Sequence, residues 1–321
     1  MRWSLKMYNN LQSKFKELRL PVIVAPMFLV SSPQLVISAS KKGVIGSFPL
    51  LNARTSEILE EWLIQIKSEL PDQLWAVNFI SHATNKRLEP DLELIRKYQP
   101  PIVITSLGHP GRVLKVVKNY GGLVFSDVTT VRHAKKAAEA SVDGLILVCN
   151  GAGGHAGRLN PFAFAAAIRE FWDGIIILAG GLSDGKDVLA ARILGADFAY
   201  MGTRFIATEE SFAPEEYKDM VINATIEDIL YTDAFSGVHA NYLIPSIQKA
   251  GIDMSSLKPR DSIDLTHATD VKAWRDIWSA GHGVSTVQKV LPVAQLIDQL
   301  IEEYHNALLS LNIQQTANGK K

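Results

Sequence analysis

Between positions 150 and 157 the sequence reads Asn150-Gly151-Ala152-Gly153-Gly154-His155-Ala156-Gly157. Four of its last seven positions are glycine, which removes side chains where backbone must approach something closely. One imidazole stands among them, and histidine is the side chain best suited to proton transfer near neutral pH. His155 is therefore the candidate catalytic base; its pKa, if unperturbed, would lie near 6.5. The competing reading is a surface loop with an incidental histidine. Two other segments carry glycine pairs or hydroxyls. They are Ala179-Gly180-Gly181-Leu182-Ser183-Asp184 and Tyr200-Met201-Gly202-Thr203-Arg204. Each follows an apolar run and leads into a helical stretch. Backbone N–H groups at a helix start, with the Thr203 hydroxyl, are the chemistry of a phosphate cradle; two ordinary turns are the alternative. A fourth segment, Trp278-Ser279-Ala280-Gly281-His282-Gly283, is small enough to pass beside a bound ring, or to serve as a simple return turn.

The remaining histidines have less context. His82 and His109 follow strand-like runs and could line a pocket. His133 reads as a solvated or capping residue, and His239, His267 and His305 have no supporting pattern. No histidine pair has a metal-ligand spacing, and the single cysteine, Cys149, builds neither a thiolate site nor an intrachain disulfide. No metal is expected. Cys149 ends an apolar run with no charge beside it, which favours a packed thiol over a nucleophile.

These segments need elements to hold them. Eight short runs rich in β-branched residues punctuate the chain: Val22–Ala25, Val44–Ser47, Trp75–Phe79, Ile102–Thr105, Leu123–Ser126, Gly144–Val148, Ile175–Ala179 and Phe198–Met201. Most are continuously apolar, as in parallel strands covered on both faces. Helical spacing fills the gaps. Ser32-Pro33 opens one helix; Thr55 to Leu70 sets Ile58, Leu59, Trp62, Ile66 and Leu70 near one face; Asp184 caps another that stops at Gly195. Eight strand-then-helix units predict an α/β fold, a (β/α)8 TIM barrel. An open doubly wound sheet competes, but the G-x-G-x-x-G turn is missing after the first strand, where Ala25-Pro26-Met27 stands. The expected division is a barrel over 1–208, a smaller helical lid or insertion after the eighth strand over 209–273, and a C-terminal segment over 274–321 returning to the barrel. Active sites of barrels form at the strands' carboxyl ends, with phosphate commonly held after strands seven and eight. The four segments above fall at such ends.

Apolar residues make up 47% of the 321, enough to bury a core, and 33 basic residues balance 33 acidic ones. A neutral chain has no global field for nucleic acid or anionic lipid, so neither is an expected partner. No apolar run reaches the roughly 20 residues of a membrane span. Met1 to Leu20 is basic and mildly amphipathic, and reads as a surface helix rather than a secretory signal. The expected location is the cytoplasm.

At this point the residues resemble a family, the nitronate monooxygenases, formerly 2-nitropropane dioxygenases. The matching segments are Ala25-Pro26-Met27, Val77-Asn78-Phe79, Gly153-Gly154-His155-x-Gly157, Ala179-Gly180-Gly181, Ala191 to Asp197, Met201-Gly202-Thr203-Arg204-Phe205 and Trp278-Ser279-Ala280-Gly281. The resemblance implies a barrel with a helical lid holding one non-covalent FMN, a small nitronate or nitroalkane substrate, and O2. It is compatible with a homo-oligomer. Carried over by position, His155 is the base beside the flavin, and Met27 lies against its ring. Asn78, Val148, Gly153 and Gly154 contact it; Gly180, Gly181, Tyr200, Met201, Gly202 and Thr203 hold the phosphate; Ser279 faces the ring or substrate. Three positions depart from the pattern: Val24 where many members have Gln, Gly151 where many have an acid, and Asp127 in a segment where some carry Lys. Asp127 is expected to face substrate or a neighbouring N–H.

The implied activity is FMN-dependent oxidation of alkyl nitronates, and of nitroalkanes if His155 removes the α-proton. Two alternatives stand beside it. One is an NAD(P)H-dependent FMN reductase of the enoyl-acyl-carrier-protein or quinone reductase type. The other is a non-catalytic barrel that binds a phosphate ligand.

Overall fold

β-Branched runs separated by capped helices give a closed ring of eight parallel strands. The structure is a computed structural model describing residues 11, 13–259 and 276–318, with side chains through 311. The ring strands are β1 (Val22–Val24), β2 (Gly46–Pro49), β3 (Trp75–Ile80), β4 (Ile102–Ser106), β5 (Leu123–Val128), β6 (Gly144–Val148), β8 (Ile175–Ala179) and β9 (Phe198–Met201). A two-residue strand, β7 (Gly154–His155), lies outside the ring. All ring pairs are parallel, in the order β1-β9-β8-β6-β5-β4-β3-β2. The ring closes between β1 and β2 at Ile23 and Ile45: Val24 N–H donates to the Ile45 carbonyl at 2.8 Å, and Ile45 N–H to Val22 at 3.0 Å. Closure excludes the open sheet, and each of the eight expected runs lies on or beside a ring strand.

Helices alternate with the strands: α1 (Pro33–Lys41), α2 (Ser56–Glu69), α3 (Leu88–Tyr98), α4 (Gly111–Tyr120), α5 (Val131–Glu139), α6 (Pro161–Arg169) and α7 (Gly185–Ile193). Their starts follow the sequence signals. Ser32 accepts the Leu35 N–H at 2.9 Å with Pro33 in the first turn, and Asp184 forms a reciprocal capping box with Asp187. In α2 the buried stripe is Leu59, Leu63 and Ile66, and the expected Ile58 faces out at 37% exposure. The stripe follows the i, i+4, i+7 row facing the sheet, which Leu63 occupies and Ile58 does not.

The strand period of two sorts the core. Outward residues such as Val77, Val103, Val124 and Leu178 pack under the helices. Inward residues, among them Ile23, Ala76, Ile102, Ile104, Leu123, Phe125, Ile146, Ile177 and Phe198, fill the barrel. At its amino-terminal end Phe15 packs edge-on against Phe198, ring centroids 5.0 Å apart, with Leu11 and Leu18 beside it. The expected surface helix therefore acts, over its described residues, as a plug.

After β9 come the short α8 (Thr203–Ile206), α9 (Glu215–Asn223), β10 (Ile229–Thr232), β11 (Ala240–Leu243) and α10 (Ile244–Lys249). The insertion thus carries the expected helices and also an antiparallel hairpin, which takes β7 as its third strand. Neither strand alternates, β10 being half-buried throughout and β11 buried throughout, so the sequence pattern does not advertise the hairpin. The expected boundary near 273 lies outside the described residues, as does His267. The last helix, α11 (Val293–Asn318), buries Val293, Leu296, Ile297 and Leu300 between α7 and α1. Backbone contact is close there: a Cβ on Gly185 would lie 2.3 Å from the Leu300 carbonyl oxygen.

Candidate active site at the barrel mouth

Carrying the inward phase to the carboxyl ends of the strands leaves a polar layer on top of the apolar filling. Asn78 continues from Ala76, Ser106 from Ile104, Asp127 from Phe125 and Tyr200 from Phe198. These side chains floor a cavity of about 1330 Å³ at the mouth of the barrel. Its walls include Met27, Val148, His155, Trp278, Ser279 and the turns at 180–182 and 202–203. Leu29 (φ 60°) and Leu107 (φ 56°), both in left-handed backbone, also line it. Non-glycine residues adopt that conformation at a cost, and such strain concentrates at functional sites.

Of the residues singled out from the sequence, the cavity gathers Met27, Asn78, Val148, Gly153, Gly154, His155, Gly180, Gly181, Tyr200, Gly202, Thr203 and Ser279. Met201 is the exception. It is buried in the shell under the helices, because adjacent strand residues face opposite ways and Tyr200 takes the inward position.

Three loops are stitched together by the Gly151 carbonyl. It accepts the N–H of Gly181 at 3.2 Å and of His282 at 2.9 Å. Gly281 N–H donates to Thr203 Oγ1 at 2.8 Å. The Gly181 N–H expected to serve a phosphate is therefore engaged within the protein, while the Thr203 O–H remains a donor. The glycines divide into two kinds. A Cβ on Gly281 would lie 2.4 Å from the Gly151 oxygen, and one on Gly153 would lie 2.9 Å from the Gly281 nitrogen. These positions are glycine because backbone meets backbone. A Cβ on Gly154 (φ 67°) or Gly181 (φ 73°) would meet nothing within 4 Å. Those two leave open space lined by main chain.

His155 is held by the hairpin. It pairs with Ala240, Gly154 pairs with Asn241, and Ala156 N–H donates to the His239 carbonyl at 3.1 Å. Asn241 Nδ2 donates to the Ala152 carbonyl at 2.7 Å, and the Tyr231 hydroxyl to Ala156 at 3.0 Å. Burial pushes the His155 pKa down to about 4, so the imidazole is neutral at ordinary pH. That is well below the 6.5 of an unperturbed imidazole, because the barrel mouth penalises the imidazolium.

Asp127 faces the opposite way in charge. Burial raises its pKa to about 6, against a hydrogen bond from Ser106 that lowers it. Burial, and then the charge of Asp127, hold the Tyr200 phenol well above its usual range. The buried Ser279 Oγ has no hydrogen-bond partner, and Tyr217 donates its hydroxyl to the Ser279 carbonyl. Cys149 is buried with its thiol pushed up to about 12, as a packed thiol should be.

Sequence reasoning missed Tyr231 and Asn241, which sit some eighty residues from the loop they hold; no local signal marks them. His239, which had no supporting pattern, lines the cavity, stacks on Tyr231 and lies 2.9 Å from an Arg158 nitrogen. His82, His109 and the exposed His133 line it as well. Among the described residues no group of three His, Cys, Asp or Glu side chains could hold a metal, and no helix is long and apolar enough to cross a membrane.

Comparison with known proteins shows the family. The family model for nitronate monooxygenase matches residues 51–303. A probable nitronate monooxygenase of Staphylococcus haemolyticus is 26% identical, the alignment covering 94% of this chain and 98% of that protein. One from Bacillus subtilis is 27% identical over 92% and 99%. Among solved structures, FabK from Thermotoga maritima superposes with a TM-score of 0.79 at 23% identity, covering 93% of this chain and 96% of that one. A nitroalkane oxidase from Streptomyces ansochromogenes superposes at 0.75 and 22%, covering 91% and 97%. These two likenesses establish the shared barrel. With the family model spanning most of the chain over a closed barrel, the protein is an oxidoreductase of the nitronate monooxygenase family.

Proposed function

We propose that the chain binds one FMN at the barrel mouth and oxidises alkyl nitronates with O2 to a carbonyl compound and nitrite. The observation that chiefly supports this reading is His155, a neutral imidazole fixed in the same cavity as the open glycine turns. The residues present suit the cofactor. Gly154 and Gly181 leave room that any Cβ would fill, and the buried Tyr200 hydroxyl, Asp127 Oδ1 and Ser279 Oγ lack protein partners. Thr203 would donate its O–H to the phosphate, and Gly180, Gly181 and Gly202 would leave it room, the Gly181 N–H being engaged by the Gly151 carbonyl. Met27, Asn78, Val148 and Gly153 would surround the ring, and so would Tyr200, which the resemblance gave to the phosphate but which faces inward on the cavity floor.

When bound, FMN supplies the redox chemistry, taking electrons from the nitronate and delivering them to O2. The protein's part is binding, orientation and proton transfer. Nitronates arrive already deprotonated and need no base. A neutral nitroalkane does, and His155 would accept its α-proton at Nε2, the neutral imidazole being the form competent to do so. Ser279, which lines the same cavity, would orient the nitro group through its hydroxyl.

A reductase reading is favoured by one feature: the cavity has room for a second large ligand beside a single ring. One experiment separates the readings. The visible spectrum of the purified protein is recorded, then followed anaerobically with propyl-2-nitronate, NADH or NADPH. A flavin spectrum bleached by the nitronate supports the monooxygenase. Rapid bleaching by a nicotinamide alone supports the reductase. A colourless protein that FMN does not reconstitute supports a binding barrel without redox function.

A further inference from the structure

The floor of the cavity holds an acid to which the nitronate reading gives no proton to carry. Asp127 lines the cavity from the end of β5. Its Oδ2 accepts the Ser106 hydroxyl, and Ser106 Oγ in turn accepts Asn78 Nδ2 at 2.6 Å. The other oxygen, Oδ1, is buried and without a hydrogen-bond partner, and so is the hydroxyl of Tyr200. Tyr200 lines the same cavity and lies close enough to feel the Asp127 charge.

Among the described residues no cation lies within ion-pair distance of Asp127. The strands around it present Asn78 from β3, Thr105 and Ser106 from β4, Ile146 and Val148 from β6 and Tyr200 from β9. Tyr200 is the titratable member of that set, and it stays protonated. His155, in the same cavity, carries no charge above about pH 4. A carboxylate with one hydrogen bond and no counter-charge is expensive to bury, and a ligand that displaces the remaining water raises the cost. Protonated, the same group becomes a donor.

We propose that Asp127 and Tyr200 form a proton-linked recognition pair for the hydrogen-bond-accepting edge of a flat heterocycle, Asp127 taking up one proton from solvent as the ligand settles so that both oxygens donate to it. The inference rests on the FMN reading, in which that edge is the carbonyl-bearing end of the flavin ring. It makes ring affinity, and not only turnover, a function of pH.

The test is flavin binding to the cofactor-stripped protein, followed by quenching of flavin fluorescence from pH 5.5 to 8. Riboflavin is the main probe, since it lacks the phosphate and its own ionisation; FMN is the second. For the wild type, the riboflavin Kd is expected to rise above about pH 6, approaching tenfold per pH unit. Asp127→Asn, whose amide keeps a donor, should bind with a flat profile. Tyr200→Phe should weaken binding several-fold and keep the slope. Mixing wild type with riboflavin in weakly buffered solution should consume close to one proton per site at pH 7.5, a readout that needs no variant. Flavin binding with a flat wild-type profile, or a wild-type slope retained by Asp127→Asn, overturns the inference and leaves the FMN reading standing. Failure of both flavins to bind at every pH overturns both.

Discussion

The Tyr231 hydroxyl donates a 3.0 Å hydrogen bond to the carbonyl of Ala156, one residue beyond His155. The bond joins the inserted hairpin to the loop after β6, so the insertion sets where the imidazole stands. It belongs to the active site's scaffold as much as any barrel strand does.

Removing that bond should therefore loosen the loop more than the fold. Tyr231→Phe deletes a single hydroxyl contact, worth about 1 kcal/mol. The expected result is a melting temperature within a few degrees of wild type and a several-fold loss of kcat/KM on neutral nitroalkane. Asn241→Ala, which strips the Ala152 carbonyl of its buried donor, should cost about 1–3 kcal/mol and lower both. Equal kinetics in Tyr231→Phe and wild type would show that the loop is positioned without the hairpin.

The two kinds of glycine should separate by measurement. Gly281→Ala drives a methyl into the Gly151 carbonyl, so its main effect should be a lower melting temperature of the cofactor-free protein. Gly181→Ala meets no atom but must hold a left-handed backbone, a strain of about 1–2 kcal/mol. Its methyl would stand where the phosphate is proposed to lie. FMN affinity should fall by more than melting temperature predicts, and riboflavin affinity should fall less.

Two half-buried titratable groups of the cavity, His155 and Asp127, pull stability in opposite directions. His155 has a folded pKa of about 4 against an unfolded value of 6.5, so its contribution is fully present above 6.5 and is lost as pH falls toward 4. Asp127 has a folded pKa of about 6 against 3.8, so its contribution is present below 3.8 and is lost as pH rises toward 6. Relative to wild type, His155→Gln should lose less stability on acidification from pH 6.5 to 4, and Asp127→Asn should lose more. Melting curves across that window decide it; parallel curves for all three proteins would refute the burial of both groups.

The same values set the kinetic profile. A base with a pKa of about 4 stays competent through the neutral range, so nitroalkane turnover should hold its His155-dependent limb near pH 4. His155→Ala should abolish turnover of neutral nitroalkane and spare preformed nitronate. Unchanged nitroalkane turnover in His155→Ala would remove the base assignment.

Phe15 tests the plug at the other end. Truncating this half-buried ring, which packs on Phe198, should cost about 2 kcal/mol of stability. It should leave substrate kinetics unchanged, since the mouth lies at the opposite end of the strands.

The sequence by itself determined the eight strand-then-helix units, from which the barrel was the expected fold. Its β-branched runs and helix caps are local signals, and local physics reads them directly: Ser32 and Asp184 cap, and Gly195 stops. The continuously apolar runs hide the inward phase, so Met201 reads as a site residue although its neighbour Tyr200 takes the cavity. The glycine loop marked His155 because its composition has little other use. Only the tertiary structure decided the rest. Closure at Ile23 and Ile45, the sharing of the Gly151 carbonyl by Gly181 and His282, and the grip of Tyr231 and Asn241 on the His155 loop all join residues far apart in the chain. The charge states of His155 and Asp127 belong there too, because burial is a property of what surrounds a group and not of the group's own neighbours in sequence.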